Sequence, residues 1–476
     1  MLIRIIHKSG IIALLLISLW SCKTMKVDFR DENKYVPESY AESGDTTNIV
    51  DLSWRDYFSD ANLIALIDTA LVNNQELNIT MQEIAISQSE IKARKGEYLP
   101  FVGLKAGAGL EKEGEYTRHG AVDEQLEIEP GKSFPNPFSD FGIGVYASWE
   151  IDVWKKLRNA KKAAVSRYLS SVEGRNFMVT NLISEIAESY YELMALDNLL
   201  DIVERNIEIQ GSALQTVKQQ KEAAKVTQLA VNRFEAQLLN TKNLQYEIRQ
   251  RIVETENKIN FLVGRFPQPI VRDSESFDNL PIGPVQEGIP SQLLENRPDI
   301  RQAELELMAA KLDVKVARAN FYPSFKISGG VGLQAFNPAH LIKPESIFYN
   351  LLGDLIAPLI NRNALKAQYA SASAKQIQAI YEYEQTILSG YIDVLNQLAK
   401  IDNFSKSYET KAKEVELLNQ SVTIANNLFT SARADYAEVL LTQREAVESR
   451  IELIEIKLQQ MNAKINIYRA LGGGWE

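Results

Sequence analysis

The apolar and polar residues of this chain keep two different periods, and each predicts its own element. From Phe101 the alternation is strict: Val102, Leu104, Ala106, Ala108 and Leu110 share one face, and Gly103, Lys105, Gly107, Gly109 and Glu111 the other. Phe141, Ile143, Val145, Ala147 and Trp149 oppose Asp140, Gly142, Gly144, Tyr146, Ser148 and Glu150 in the same way. Phe325, Ile327, Val331 and Leu333 likewise oppose Ser324, Lys326, Ser328, Gly330 and Gln334. A period of two is the mark of a β-strand. A fourth strand, about 347–357, alternates less cleanly. The four pair as hairpins, 101–149 and 324–357, across polar or Gly/Pro-rich loops at about 113–137 and 337–345. Each run has the ~9–11 residues a tilted strand needs to cross a bilayer, although a soluble β-sandwich would alternate in the same way.

Between and after these strands the period changes to seven. Val179, Ile186, Leu193, Leu200, Ile207 and Leu214 form one series. Ile380, Ile387, Val394, Ile401, Tyr408, Val415, Val422 and Phe429 form a second, and Leu440, Val447, Ile454, Met461 and Tyr468 a third. Such series predict long helices that supercoil around neighbours. The pattern resets at Ala223–Thr227 and at Ser431–Asp435, where small and polar residues predict hairpin tips. A plain coiled-coil dimer or spectrin-like bundle leaves the strands unexplained.

The chain also repeats itself. A shift of 223 positions lays residues 71–110 on 294–333 without a gap, matching Leu71, Asn73, Glu83, Lys92, Pro100, Gly107, Gly109 and Leu110 to Leu294, Asn296, Glu306, Lys315, Pro323, Gly330, Gly332 and Leu333. Internal duplication explains this most simply. The resulting organisation is a leader over 1–21, an N-terminal strap over 22–59, a first repeat over 60–265, a Pro-rich equatorial linker over 266–288, a second repeat over 289–471 and a tail over 472–476. Four strands cannot close a membrane barrel, whose smallest examples have about eight, so copies of the chain must be pooled. Two copies would fill the interior with side chains; three would leave a lumen, which the small and polar inward face favours.

The leader has a basic start at Arg4, His7 and Lys8, an apolar run from Ile11 to Trp20, and Ser21 directly before Cys22. That run is too short to span a bilayer and reads as a signal peptide. Leu19-Trp20-Ser21-Cys22 resembles the lipobox of bacterial lipoproteins, with Trp20 in place of a small residue, and makes Cys22 the candidate lipidation site. A cysteine lost with an ordinary signal peptide is the alternative.

Composition narrows the chemistry. The chain has 52 Lys+Arg against 62 Asp+Glu, a net charge of −10, and no long basic run, which argues against nucleic acid as a partner. Three His and one Cys supply no recognisable metal site, so no metal or cofactor is expected. Gly329-Gly330-Val331-Gly332 lacks the Lys-Ser/Thr of a phosphate loop and lies inside a strand. An enzyme working through carboxylates would need a catalytic pair that the sequence does not display.

Several segments together resemble the TolC-like outer-membrane factors, in their efflux lipoprotein (NodT/OprM-type) branch. They are Trp149–Trp154, Leu262-Val263-Gly264, Ile289–Glu304 with its Arg297-Pro298-Asp299-Ile300-Arg301-Gln302-Ala303-Glu304 run, Ala317–Pro323 and Ala470–Trp475. The resemblance implies a mainly α fold with transmembrane β: a homotrimer whose twelve-stranded barrel, four strands per subunit, continues into a periplasmic α-helical barrel. It implies a passive outer-membrane conduit without chemistry, docked at its tips on a periplasmic adaptor and through it on an inner-membrane RND-type transporter, and opened when the inner helix pairs untwist. A poreless periplasmic scaffold and the outer-membrane duct of a type I secretion system are the alternatives. The family's tip turns usually carry Gly where this chain has Ala224 and Ala432, and its Asp-Ala-Gln-Arg reads Leu441-Thr442-Gln443-Arg444 here. Glu438 with Arg444, and Arg433 with Asp435, are therefore the candidate closing groups, and Ala224, Lys225, Thr227 and Ala432 the candidate docking turns.

Overall fold

The computed structural model describes residues 30–40, 52–280, 288–431 and 433–475. In chain order its elements are α1 (Trp54–Tyr57), α2 (Ala61–Asn73), α3 (Gln75–Tyr98), β1 (Phe101–Glu111), α4 (Arg118–Gln125), β2 (Glu127–Glu129), β3 (Lys132–Ser133), β4 (Phe138–Ile151), α5 (Lys156–Glu222) and α6 (Gln228–Val263). The second half adds α7 (Leu293–Asn296), α8 (Pro298–Ala319), β5 (Ser324–Ala335), β6 (Ile347–Ile356), α9 (Asn363–Thr430) and α10 (Tyr436–Leu471). Two compact units emerge, one containing Ile86–Tyr168 and Leu305–Tyr381, the other Glu32–Ala85, Leu169–Glu304 and Glu382–Glu476.

The first unit is built on an antiparallel sheet of order β1-β4-β5-β6, so the two hairpins join through β4 and β5. Register sorts the faces. Val145 stands opposite Leu104 and Val331, and Val331 opposite Tyr349, so the apolar sets of all four strands fall on one side. The last strand, irregular as a sequence, takes its face from this pairing. On the other side Tyr146 stands between Gly103 and Gly330, and Gly330 opposite Asn350.

The longer loop is not a simple turn. It folds into α4 and the β2–β3 hairpin, with Thr117 capping α4 by accepting from Gly120 N at 3.1 Å and Gly131 turning the hairpin at φ +77°. His340 Nε2, in the shorter loop, lies 2.9 Å from Glu129 Oε1. Eight helical residues are too few for a period to register in the sequence.

The second unit holds most of the heptad core. Val179, Ile186 and Leu193 on α5, Ile387 and Val394 on α9, and Ile454, Met461 and Tyr468 on α10 are buried, whereas Ile401 through Phe429 at the same spacing are only half-buried. At ~1.5 Å per residue the 67 residues of α5 make a helix roughly 100 Å long.

The duplication appears here as a matched pair of closures. Asn74 is buried and its amide donates to Leu262 O at 2.8 Å, two residues before the left-handed C-cap Gly264. Its repeat counterpart, Arg297, is buried and donates from Nη1 to Ala470 O at 2.8 Å, two residues before the left-handed C-cap Gly472. Both glycines press on the preceding carbonyl: an added Cβ would come within 2.4 Å of Asn73 O at Gly264 and 2.5 Å of Asn296 O at Gly472. The glycines that carry the family likeness are thus fixed by positive φ and by this close approach.

Candidate functional site

In the first unit, the face opposite Tyr146 is both apolar and bare. Leu104 is 72% exposed, Val331 55% and Tyr349 83%, and the same face carries Val102, Ile143 and Leu351, also exposed. A water-soluble sheet would cover such a patch; a wall in lipid presents it. The soluble-sandwich alternative fails on this point, because no second sheet packs over these residues among those described. The opposite face is mainly small and polar on β1, β4 and β5, with Phe101 and Tyr146 as its large rings, while β6 adds Phe348, Leu352 and Ile356 to it beside Asn350 and Asp354. Gln334 Nε2 donates to Asp140 at 2.9 and 3.0 Å, and Lys326 pairs in register with both Glu150 and Asp354.

Where the strands meet the helices, the Trp149–Trp154 segment explains its own composition. Trp149 Nε1 donates to Tyr98 O at 3.1 Å, and Trp154 Nε1 to Pro323 O at 2.8 Å with its ring stacked on Tyr322 at 4.7 Å. Each tryptophan therefore ties to one copy of the repeated Tyr/Pro boundary. Asp152 accepts from Leu157 N at 3.1 Å and Arg158 N at 2.9 Å, satisfying the start of α5, while Arg158 Nη2 returns to Asp152 O at 2.6 Å.

The tip turns lie in the second unit. Ala224 adopts φ +56°, the left-handed conformation that a Gly would accept without cost, and Lys225 N closes the turn on Gln220 O at 2.8 Å. At the second tip Arg433 N reaches Leu428 O at 2.8 Å, over the same five-residue span. Thr227 and Asp435 occupy the N-cap positions of α6 and α10. Ala224, Lys225, Thr227, Arg433, Asp435, Glu438 and Arg444 are all exposed. Cys22 and Ala432 lie outside the described residues.

The side chains at the tips group differently from the expected pairs. Arg444 Nε lies 3.7 Å from Glu448 Oε1, one turn further along α10, and no ion pair joins Arg444 to Glu438 or Arg433 to Asp435 among the described residues. Sequence reasoning missed what holds the tips together. Leu214, Val217, Ala230, Val231 and Phe234 form a buried cluster between α5 and α6, with Tyr436 and Leu440 of α10 packed against it. Leu214 and Leu440 were visible as heptad members; Phe234 and Tyr436 lie outside the series.

Comparison with known proteins decides the family. The profile described as outer membrane efflux protein matches residues 66–265 and 289–473, one stretch per repeat. This chain belongs to the outer membrane efflux protein family. It is 26% identical over 423 residues to the pyoverdine export outer membrane protein OpmQ of Pseudomonas aeruginosa, covering 89% of this chain and 87% of that one. It is 25% identical over 467 residues to the probable outer membrane lipoprotein SilC of Salmonella typhimurium, covering 96% of each. Among solved structures, the open state of the Neisseria gonorrhoeae MtrE outer membrane channel superposes with a TM-score of 0.81 at 23% identity, covering 95% of this chain and 99% of that one. As a member of this family the chain has the TolC-like fold and is the outer-membrane channel component of an efflux system. Among the described residues no cluster of His, Cys, Asp or Glu could hold a metal ion, and no helix is long and apolar enough to cross a membrane. The latter says nothing of strands.

Proposed function

We propose that three copies of the chain close their sheets into one twelve-stranded barrel and that this efflux protein acts as a passive conduit, without catalysis, for small molecules leaving the cell. The observation that carries this reading is the four-stranded sheet with one bare apolar face, one small polar face, and unpaired outer edges on β1 and β6. Backbone groups facing lipid must be paired, so the two edges have to find each other in neighbouring copies. Residues 1–21 act as the signal peptide, Cys22 carries the lipid anchor, and 22–59 form a strap. Within the described part of that strap, Lys34 Nζ bonds Glu304 at 2.6 Å on α8 and Tyr40 stacks on Tyr391 of α9 at 5.6 Å. Residues 60–265 and 289–471 are the two working repeats, with 266–288 as the linker between them and 472–476 as the tail.

In this reading the tips reach into the periplasm. Ala224, Lys225, Thr227 and Ala432 dock on an adaptor, which connects to an RND-type inner-membrane transporter, and Arg433, Asp435, Glu438 and Arg444 close the tip by contacts between copies. OpmQ is a pyoverdine export protein and SilC a probable outer membrane lipoprotein, so the cargo is proposed only as small and soluble. Purified protein in planar bilayers is expected to carry an ion current, small while the tip is closed; a current no different from the bare bilayer, in the unaltered protein and in the tip variants alike, would leave only the poreless scaffold. For the gate, Arg444→Ala or Asp435→Ala is expected to raise the closed-state leak in single-channel recordings, and an unchanged leak in both would remove these residues from the role.

A further inference from the structure

The small polar face of the sheet is not uniform. A hollow of about 460 Å³ lies in the acidic outer loop, but a second one, of about 450 Å³, opens on this face and takes side chains from all four strands. Phe101 and Lys105 come from β1, Tyr146 and Ser148 from β4, Ser328 from β5 and Asn350 from β6. Its size falls within the ~300–1,000 Å³ of small-molecule sites.

Glycines make the hollow. A Cβ added at Gly330 would come within 2.8 Å of Tyr146 Cδ1 and 3.2 Å of Asn350 Oδ1, so the Tyr146 ring lies down across β5 and meets the amide there. At Gly103 the same addition would come within 3.3 Å of Phe101 Cε1. Two aromatic rings thus rest on bare backbone and offer π faces. Lys105 is the one charged residue among those lining the hollow, and no ion pair engages it among the described residues. The acids of this face stand elsewhere: Glu111 lies at the far end of β1, Asp140 is held by Gln334, and Glu150 and Asp354 flank Lys326.

We propose that this hollow is a cargo-binding shelf for small aromatic carboxylates. The rings of Phe101 and Tyr146 receive the planar apolar part, Lys105 receives the anion through a charge-assisted hydrogen bond, and Ser148, Ser328 and Asn350 supply further hydrogen-bonding groups. Organic cations are disfavoured by Lys105, and neutral aromatics forgo its contribution. The proposal rests on the conduit reading, in which this face lines the lumen and three shelves stand around it.

The test uses the full-length protein in planar bilayers with 2-naphthoate as probe and naphthylmethylammonium as its cationic counterpart. Open pores are expected to show brief current interruptions with naphthoate and none with the amine. Lys105→Gln and Tyr146→Ala should each shorten the interruptions about tenfold, a change of about 1.4 kcal/mol, and Lys105→Arg should restore them. Interruptions that are absent in the unaltered protein, equal for the amine, or unchanged in Lys105→Gln would overturn the shelf. If Tyr146→Ala fails to assemble, Lys105→Gln decides, since its exposed side chain packs no core. If no pore forms at all, the conduit reading falls, and equilibrium binding of naphthoate to the detergent-solubilised protein against Lys105→Gln still decides the shelf.

Discussion

In the first repeat Asn74 reaches the end of α6 with a single neutral amide, whereas in the second Arg297 reaches the end of α10 with a guanidinium that also holds Asp299 at 2.7 Å and approaches Asp393 of α9 at 3.6 Å. The geometry is shared and the chemistry is not. Burial alone would lower the Arg297 pKa, but the hydrogen bonds it donates to Asp299 and the charges of Asp299 and Asp393 outweigh it and hold it above its ordinary value. One side chain therefore reaches both long helices of the second repeat, whereas in the first Asn74 reaches α6 and a different residue, Asp60, meets α5 by accepting from Tyr190 Oη at 2.8 Å.

The helix pairs differ in the opposite sense further along. The pair α5/α6 carries polar ties along its length, such as Thr241 to Gln210 and Arg249 to Glu204, both at 2.9 Å, but is closed at its tip by the apolar cluster around Phe234. The pair α9/α10 is joined by polar ties: Gln443 to Asn426 at 3.4 Å, Ser449 to Glu414 at 3.1 Å, Lys411 to Glu452 at 2.6 Å, and Arg450 to Asn419. Apolar contact is lost outright when helices part, but polar groups can exchange partners with water or with a neighbouring copy at little net cost. The second pair is thus firm where Arg297 sits and exchangeable toward its tip, as the gate proposed above would require.

The largest expected effect concerns the closures. Arg297→Ala should cost about 3–5 kcal/mol by emptying a buried site, leaving Ala470 O without its donor and the half-buried Asp299 without its cation, and Asn74→Ala about 1–3 kcal/mol by leaving Leu262 O without its donor. Thermal melting followed by helical circular dichroism checks the ranking; equal losses would erase the distinction between the repeats. Next come the tips. Phe234→Ala should cost about 3–5 kcal/mol, whereas Gln443→Ala should cost about 0–1 kcal/mol, because Gln443 Oε1 is buried without a partner in the structure. A Gln443→Ala loss as large as that of Phe234→Ala would contradict the exchangeable seam.

The smallest effect is one of pH. Hydrogen bonds from Arg249 and Gln245 hold the Glu204 carboxyl below its ordinary range, and those from Lys411 and Ser449 do the same for Glu414. A lowered carboxyl contributes stability above its unfolded pKa, near 4.3, and loses it as the pH falls through the lowered folded value. Amide exchange in both helix pairs, corrected for its intrinsic rate, should therefore show flat protection from pH 8 to 6 and a decline only in acid below about 4.5. A decline already present at pH 6 would implicate other groups.

Much of this architecture was legible because its periods are long. Twelve alternating residues or six heptads outvote any single exception, and the tip resets were visible because small polar residues interrupt them. The fold of the 113–137 loop was hidden by the brevity of α4, whereas the neighbour of Arg444 was legible from helical spacing alone, since Glu448 stands four residues on along the same face and Glu438, six residues back, falls on another. The meeting of Arg297 with Ala470, 173 residues away, had no local signal at all, although the shift that pairs Asn74 with Arg297 and the glycines closing each half hint at it in retrospect.

The central claim is that the open edges of β1 and β6 are closed by exchange between copies. Native mass spectrometry of the detergent-solubilised protein measures this most directly. A dominant species of three chains is what the account predicts, and a protein that remains a single chain or stops at two would contradict it.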